Sequence, residues 1–88
     1  MEKHILNYRV IIEPEKMGKK TVYNAYCPTL GVADYGDSVE EVLRSIKDGI
    51  SLAIESLLEE KKEVPKDNVS EQLITTVNIS TNRATPAI

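Results

Sequence analysis

The chain has 88 residues and a mass of 9.8 kDa, which is the size of one small domain and too short to enclose a large active-site cavity. Hydrophobic residues make up 41% and charged residues 28%, a composition that is typical of a folded globular protein rather than a disordered one. Its 11 basic and 14 acidic residues give a net charge of −3, so the chain lacks the basic footprint of a dedicated nucleic-acid binder.

The first predicted strand covers residues 5–13, where side chains alternate between two faces. Pro14 has no N–H to donate and is expected to end this strand. Residues 15–20 are then predicted to form a hairpin loop, in which Gly18 is free to adopt a positive φ. One face of the strand is apolar or aromatic and the other is mixed: Leu6, Tyr8, Val10 and Ile12 against Ile5, Asn7, Arg9, Ile11 and Glu13.

Two further strands are predicted over residues 21–27 and 32–35. Pro28 closes the earlier of the two, and Gly36 follows the later one. Three strands in such close succession predict an antiparallel meander. In the second strand the alternation separates two sets of side chains: Tyr23, Ala25 and Cys27 against Val22, Asn24 and Tyr26.

A long amphipathic helix is predicted over residues 38–61. Ser38 and Glu41 have the spacing of a capping box, in which the serine hydroxyl accepts the glutamate N–H. Gly49 lies inside the helix, where glycine costs about 1 kcal/mol relative to alanine. Either another backbone approaches it closely, or the helix tolerates a weak residue. Pro65 prevents continuation, and apolar residues recur at helical spacing at positions 39, 42, 43, 46, 50, 53, 54, 57 and 58.

Residues 73–79 are rich in β-branched residues and alternate in polarity, so a final strand is predicted there. The element order is therefore β-β-β-α-β. It predicts an α+β fold in which an antiparallel-rich sheet is backed by one long amphipathic helix. We expect a single domain over residues 1–80 and a flexible C-terminal tail over residues 81–88.

Residue types that carry catalysis or bind metals are few in this sequence. Cys27 and His4 are the only candidates for a nucleophilic pair, and Cys27 is predicted on a core-facing strand position. One cysteine and one histidine cannot form a four-ligand zinc site. We therefore expect no catalytic residue, no metal and no cofactor. Of the carboxylates that a metal site could use, Asp37, Glu40 and Glu41 are better explained by turn formation and by helix N-terminal charge preference. Glu13 lies at a strand end, and the whole pool of candidates is Glu13, Asp34, Asp37, Glu40 and Glu41.

Two stretches resemble the HicB antitoxin family. That family typically shows Y-x-A-x-x-P-x-L-P-G, then, a few residues on, G-D-[ST]-x-E-E-A at the start of a long helix. Here residues 23–30 read Y-N-A-Y-C-P-T-L and residues 36–42 read G-D-S-V-E-E-V, while residues 8–14 also resemble the first strand of the family. The resemblance spans residues 6–66. It departs from the family at the L-P-G turn, which is Leu30-Gly31-Val32 here, so a different loop geometry is expected at that point.

The resemblance implies a degraded ribonuclease-H-like fold and a role in a type II toxin–antitoxin system. HicB proteins bind and mask HicA, a small basic toxin that cleaves mRNA. Many members add a C-terminal DNA-binding segment, which is absent after the last predicted strand, so direct DNA binding by this chain alone is not expected. No apolar run approaches the roughly 18 residues of a membrane span. We expect a cytoplasmic homo-oligomer, a dimer or a tetramer, with no membrane contact.

The partner-binding surface is predicted on the sheet face away from the helix and on the loop after the second strand. Tyrosine suits such a surface because its ring provides contact area while its hydroxyl stays hydrated. Pairing through the first or the last strand is an alternative route. Two other functions remain open: a stand-alone homo-oligomeric module that uses the same surface for self-association, and a residual metal-dependent nuclease. The predicted contact residues are Asn24, Tyr26, Pro28, Leu30 and Tyr35.

Overall fold

A computed structural model describes residues 5–67 and 73–82 of the chain. It contains three strands followed by one helix: β1 (Ile11–Met17), β2 (Lys20–Cys27), β3 (Val32–Gly36) and α1 (Val39–Glu59). The strands form one antiparallel sheet in the order β1-β2-β3, and α1 packs mainly on β3 and β2. The α+β class and the β-β-β-α layout predicted from the sequence are therefore confirmed.

β1 begins and ends later along the chain than predicted. Residues 5–10 lie outside the sheet, and pairing with β2 starts at Ile11. Pro14 lies in the middle of β1 instead of ending it, because β1 is an edge strand, where a residue without an N–H is tolerated. The predicted loop is reduced to a two-residue turn, in which Gly18 has the expected positive φ, 67°.

The core lies between β2 and the first half of α1. Ala25 and Cys27 on β2 pack against Val42 and Ile46 on α1, and all four side chains are buried. The predicted alternation holds at these β2 positions. It fails at Val22, which is buried although the alternation places it on the face opposite Ala25 and Cys27. Half-buried side chains from the flanking segments complete the core: Tyr8, Val10, Ile12, Tyr23, Leu30, Val32 and Ile50.

Both ends of α1 are closed by hydrogen bonds. At the start, the Ser38 hydroxyl accepts the N–H of Glu41 at 3.0 Å, as predicted. At the end, the N–H of Lys61 donates to the carbonyl of Leu58 at 3.1 Å, and the N–H of Lys62 donates to that of Leu57 at 2.9 Å. This pair of bonds is a Schellman motif, so α1 ends at Glu59, two residues before the predicted end at residue 61.

Gly49 packs against β3. A Cβ atom at this position would lie 3.1 Å from Cγ1 of Val32. The close neighbour is therefore a side chain and not a backbone, so the predicted approach of another backbone is wrong.

The segment after α1 returns to the residues that precede β1. The Tyr8 hydroxyl donates to the carbonyl of Pro65 at 2.7 Å. Arg9 and Asp67 form an ion pair, with 2.7 Å between the Arg9 Nε and Asp67 Oδ1 atoms. These contacts fix residues 64–67 beside residues 8–9.

The predicted final strand is wrong for the described residues. Residues 73–82 form no strand, and each of them is exposed. β-propensity alone does not form a strand, because a strand also needs an edge to pair with. The predicted division into a domain and a tail stays a prediction, and residues 83–88 of that tail lie outside the described residues.

Candidate partner-binding surface

The sheet has one face that α1 does not cover, which we call the outer face. Residues directly opposite each other in antiparallel strands point to the same side of the sheet, so the register defines this face. Ile11 on β1 lies opposite Tyr26 on β2, and Tyr26 lies opposite Ala33 on β3. This row crosses the whole sheet and is apolar, with Ile11 49% and Tyr26 46% exposed.

The next row of the outer face is polar. Glu13 lies opposite Asn24, and Asn24 lies opposite Tyr35, which is 70% exposed. Glu15 follows on β1, and its carboxylate accepts a hydrogen bond from the Asn24 side chain at 2.8 Å. The outer face thus combines exposed aromatic and aliphatic groups with two carboxylates on its β1 side.

The charge of this face is negative. Among the described residues, Glu13 and Glu15 form no ion pair with a basic side chain. Lys20, at the hairpin end of β2, lies 2.9 Å from the carboxylate of Asp37, which raises the pKa of Lys20 through a hydrogen bond. Since Asp37 offsets the charge of Lys20, the two glutamates leave the face with an excess of negative charge.

Three of the five predicted contact residues come together on the outer face. Asn24 and Tyr35 lie directly opposite each other, and Tyr26 lies on the same side of β2. Pro28 and Leu30 lie instead in the turn between β2 and β3. Leu30 packs against the core, which leaves less of its side chain for a partner than the prediction assumed.

Gly31 closes the turn between β2 and β3. The N–H of Gly31 donates to the carbonyl of Cys27 at 2.8 Å, and Gly31 has a φ of 67°. Such a φ favours glycine, because other residues clash there. The turn is therefore closed by Gly31, directly after Leu30, without a proline between them.

Sequence reasoning left Ile11, Glu13, Glu15 and Ala33 out of the site, although the register places them on the outer face. Ile11 and Glu13 were placed on the mixed face of the first strand but were not connected to Tyr26 and Asn24. Glu15 was assigned to a loop, because Pro14 was expected to end the strand. Reading Pro14 as an edge-strand residue would have kept Glu15 in the strand. The fourth residue, Ala33, carries no signal of its own and is located only by the register.

Comparison with known proteins gives a family for this chain. A UPF0150 protein of Synechocystis sp. is 43% identical to it over 68 residues, which are 76% of the chain and 82% of that protein. The chain belongs to the UPF0150 family. No protein-family model matches this UPF0150 chain, and no solved structure matches it.

The carboxylate of Asp34 connects β3 of the UPF0150 chain to α1. The Ser45 hydroxyl donates a short hydrogen bond to Asp34 Oδ2, and the N–H of Tyr35 donates to Oδ1 at 2.8 Å. These two bonds, the serine bond first, hold the pKa of Asp34 below its ordinary value. They also fix the backbone of Tyr35, from which its ring projects onto the outer face.

The structure describes one of the two residues considered for a nucleophilic pair. Cys27 is a free cysteine buried in the core, and residue 4 lies outside the described residues. Within residues 5–67 and 73–82, no group of three or more histidine, cysteine or acidic residues is placed to hold a metal ion. In the same part of the chain, no helix combines the length and apolar character that a membrane span requires.

Proposed function

We propose that this UPF0150 chain is a HicB-like antitoxin that binds a small basic HicA-type toxin through its outer face. The proposal depends on one observation above all, the combination of exposed Tyr26, Tyr35 and Ile11 with the carboxylates of Glu13 and Glu15 on one uncovered sheet face. The HicB-like motifs in residues 23–30 and 36–42 support it, and so does the net charge of −3.

The two kinds of side chain have different parts in binding. Aromatic residues near the centre of an interface carry most of the affinity, because their burial removes a large area from water. Tyr26 has this position, since it lies on the middle strand between Ile11 and Ala33. Carboxylates at the rim mainly speed the encounter with a basic partner and orient it. Glu13 and Glu15 have that position on the edge strand.

The outer face is already ordered before a partner binds. Asn24 is held by Glu15, and the backbone of Tyr35 is held by Asp34. Because these groups are fixed, less conformational entropy is lost on association. We propose that the antitoxin acts by covering the RNA-binding surface of the toxin, so that inhibition requires contact and no chemistry from the antitoxin itself.

The test is a binding titration of the purified chain against a HicA-type toxin from its source genome, followed by an RNA-cleavage assay. We expect Tyr26→Ala to weaken binding at least about tenfold, and Glu13→Lys to weaken it less. Glu55→Lys makes the same charge change on an exposed position of α1 and is the matched control. Unchanged affinity in Tyr26→Ala would contradict the proposed surface.

The same samples distinguish the two other functions. A stand-alone module would bind no toxin, and its Tyr26→Ala variant would lose self-association of the isolated chain. A residual nuclease would cleave RNA or DNA with Mg²⁺ or Mn²⁺ in the absence of any toxin. Either result would replace the antitoxin proposal.

A further inference from the structure

An apolar groove lies between the residues that precede β1 and the apolar side of α1. Its volume is about 440 Å³. Ile46 is buried, and Leu6 and Leu43 remain 46% and 44% exposed. The groove is therefore open to solvent. Its apolar lining comes mainly from Leu6, Val10, Leu43, Ile46, Ile50 and Ile54.

Residues 73–79 carry apolar side chains that no other described part of the chain covers. In an extended segment Leu73, Val77 and Ile79 would share one side, and these residues are 87%, 77% and 81% exposed. A seven-residue segment with four exposed apolar side chains is an aggregation hazard unless another surface covers it. Within residues 5–67 and 73–82, both this segment and the apolar groove are left uncovered.

The free edges of the sheet are poor sites for this segment. β1 and β3 are the two edge strands. Pro14 removes one N–H donor from the middle of β1, and the N–H of Tyr35 in β3 is already donated to Asp34. A strand added to either edge would find an incomplete set of hydrogen-bonding groups. The groove is the better site, because Leu6 and Asn7 at its wall have no main-chain hydrogen bond within the described part of the chain.

We propose that two copies of the chain exchange residues 73–79, so that each segment lies in the groove of the other copy. The chain is elongated, with a radius of gyration of 17.8 Å, against about 12 Å for a compact domain of this length. Each residue of the segment is exposed in the structure, and an identical copy offers a groove of matching apolar character. Because each copy gives and receives the same segment, the exchange closes as a symmetric dimer. The outer face is not used, so the dimer leaves it free for a toxin.

The first test is the oligomeric state of the full chain by sedimentation equilibrium. We expect twice the 9.8 kDa mass of one chain. Val77→Asp should raise the dimer dissociation constant at least about tenfold, because it would bury a charge in an apolar groove. Thr76→Asp adds the same charge on the other side of the segment and should change it much less. A monomeric wild-type chain, or equal effects of the two variants, would overturn the proposal.

The second test is a disulfide between copies. Chains with Leu43→Cys are mixed with chains that carry Val77→Cys, and Cys27 does not compete because it is buried. We expect a cross-linked heterodimer from this mixture and none when Tyr35→Cys on the outer face replaces Leu43→Cys. A bond that forms only within one chain carrying both substitutions would show that the segment closes on its own groove, which would overturn the exchange.

Discussion

Arg9 holds Asp67 through two hydrogen bonds, one from its backbone N–H at 2.8 Å and one from its Nε at 2.7 Å. The Asp67 side chain has no exposed area, whereas that of Arg9 is 31% exposed. The N–H bond from Arg9 is the main cause that lowers the pKa of Asp67, and burial opposes it. This contact connects the segment after α1 to the one before β1 across 58 residues of sequence.

The Asp67 carboxylate makes stability depend on pH. Its pKa in the folded protein lies below its ordinary value of 3.8, so the stabilisation is complete above that value and is lost as pH falls through the folded pKa. We expect Asp67→Asn to lower the melting temperature at pH 7 and to flatten its decrease between neutral and acidic pH. Asp48→Asn, at an exposed position of α1, is the control and should leave the profile of the wild type unchanged.

Lys61 has a φ of 56° at the Schellman motif after α1, in the region that favours glycine. We expect Lys61→Gly to raise the free energy of unfolding by about 0.5–1 kcal/mol, measured by urea denaturation. Lys61→Ala removes the same charge but keeps the strained φ, so it should give no such gain. Equal gains in both variants would assign the effect to charge.

Gly36 lies against the first turn of α1. A Cβ atom here would be 2.9 Å from the backbone nitrogen of Val42, and a backbone cannot move aside as a flexible side chain can. Gly36→Ala should therefore destabilise the fold by about 1–3 kcal/mol. The comparison is Gly49→Ala, whose Cβ would meet only a side-chain atom of Val32. A smaller loss at Gly36 than at Gly49 would contradict this explanation of the G-D-S motif.

Gly49→Ala tests two opposing effects. Alanine gains about 1 kcal/mol of helix propensity, but its Cβ would lie 3.1 Å from Val32 Cγ1 and would crowd that side chain. We expect little net change in the wild-type background and a gain near the full propensity value in a Val32→Ala background. A double-mutant cycle measures the difference, and additive effects would show that the contact relaxes without cost.

Salt dependence separates the two parts of the proposed toxin contact. Glu13→Lys should mainly slow association and weaken its dependence on ionic strength, because exposed charges act over the Debye length. Tyr26→Ala should mainly speed dissociation, since it removes buried contact area. Stopped-flow association and dissociation rates at low and physiological salt check both expectations. Equal effects of salt on the wild type and on Glu13→Lys would show that the charge of Glu13 does not contribute to association.

Local signals located most of the fold. The Ser38 cap and the 3.6-residue spacing predicted α1, and Gly18 and Gly31 marked the turns between adjacent strands. The errors occurred where tertiary contacts overrode a rule that is based on local sequence. A proline after an apolar run predicts a strand end, and the position of Pro14 at the sheet edge is not visible in sequence. The composition of residues 73–79 predicts a strand, but β-propensity carries no information about a pairing partner.

The sequence by itself determined the α+β order, the cap of α1, the buried side of β2 and the exposure of Asn24 and Tyr26, since each of these depends on neighbours close in the chain. Only the tertiary structure decided that Ile11, Tyr26 and Ala33 form one row, because strand register is a long-range property. It also decided that Asp67 contacts Arg9 and that no other described residue covers residues 73–79. Those outcomes depend on tertiary contacts between residues far apart in the sequence, and local periodicity does not specify such contacts.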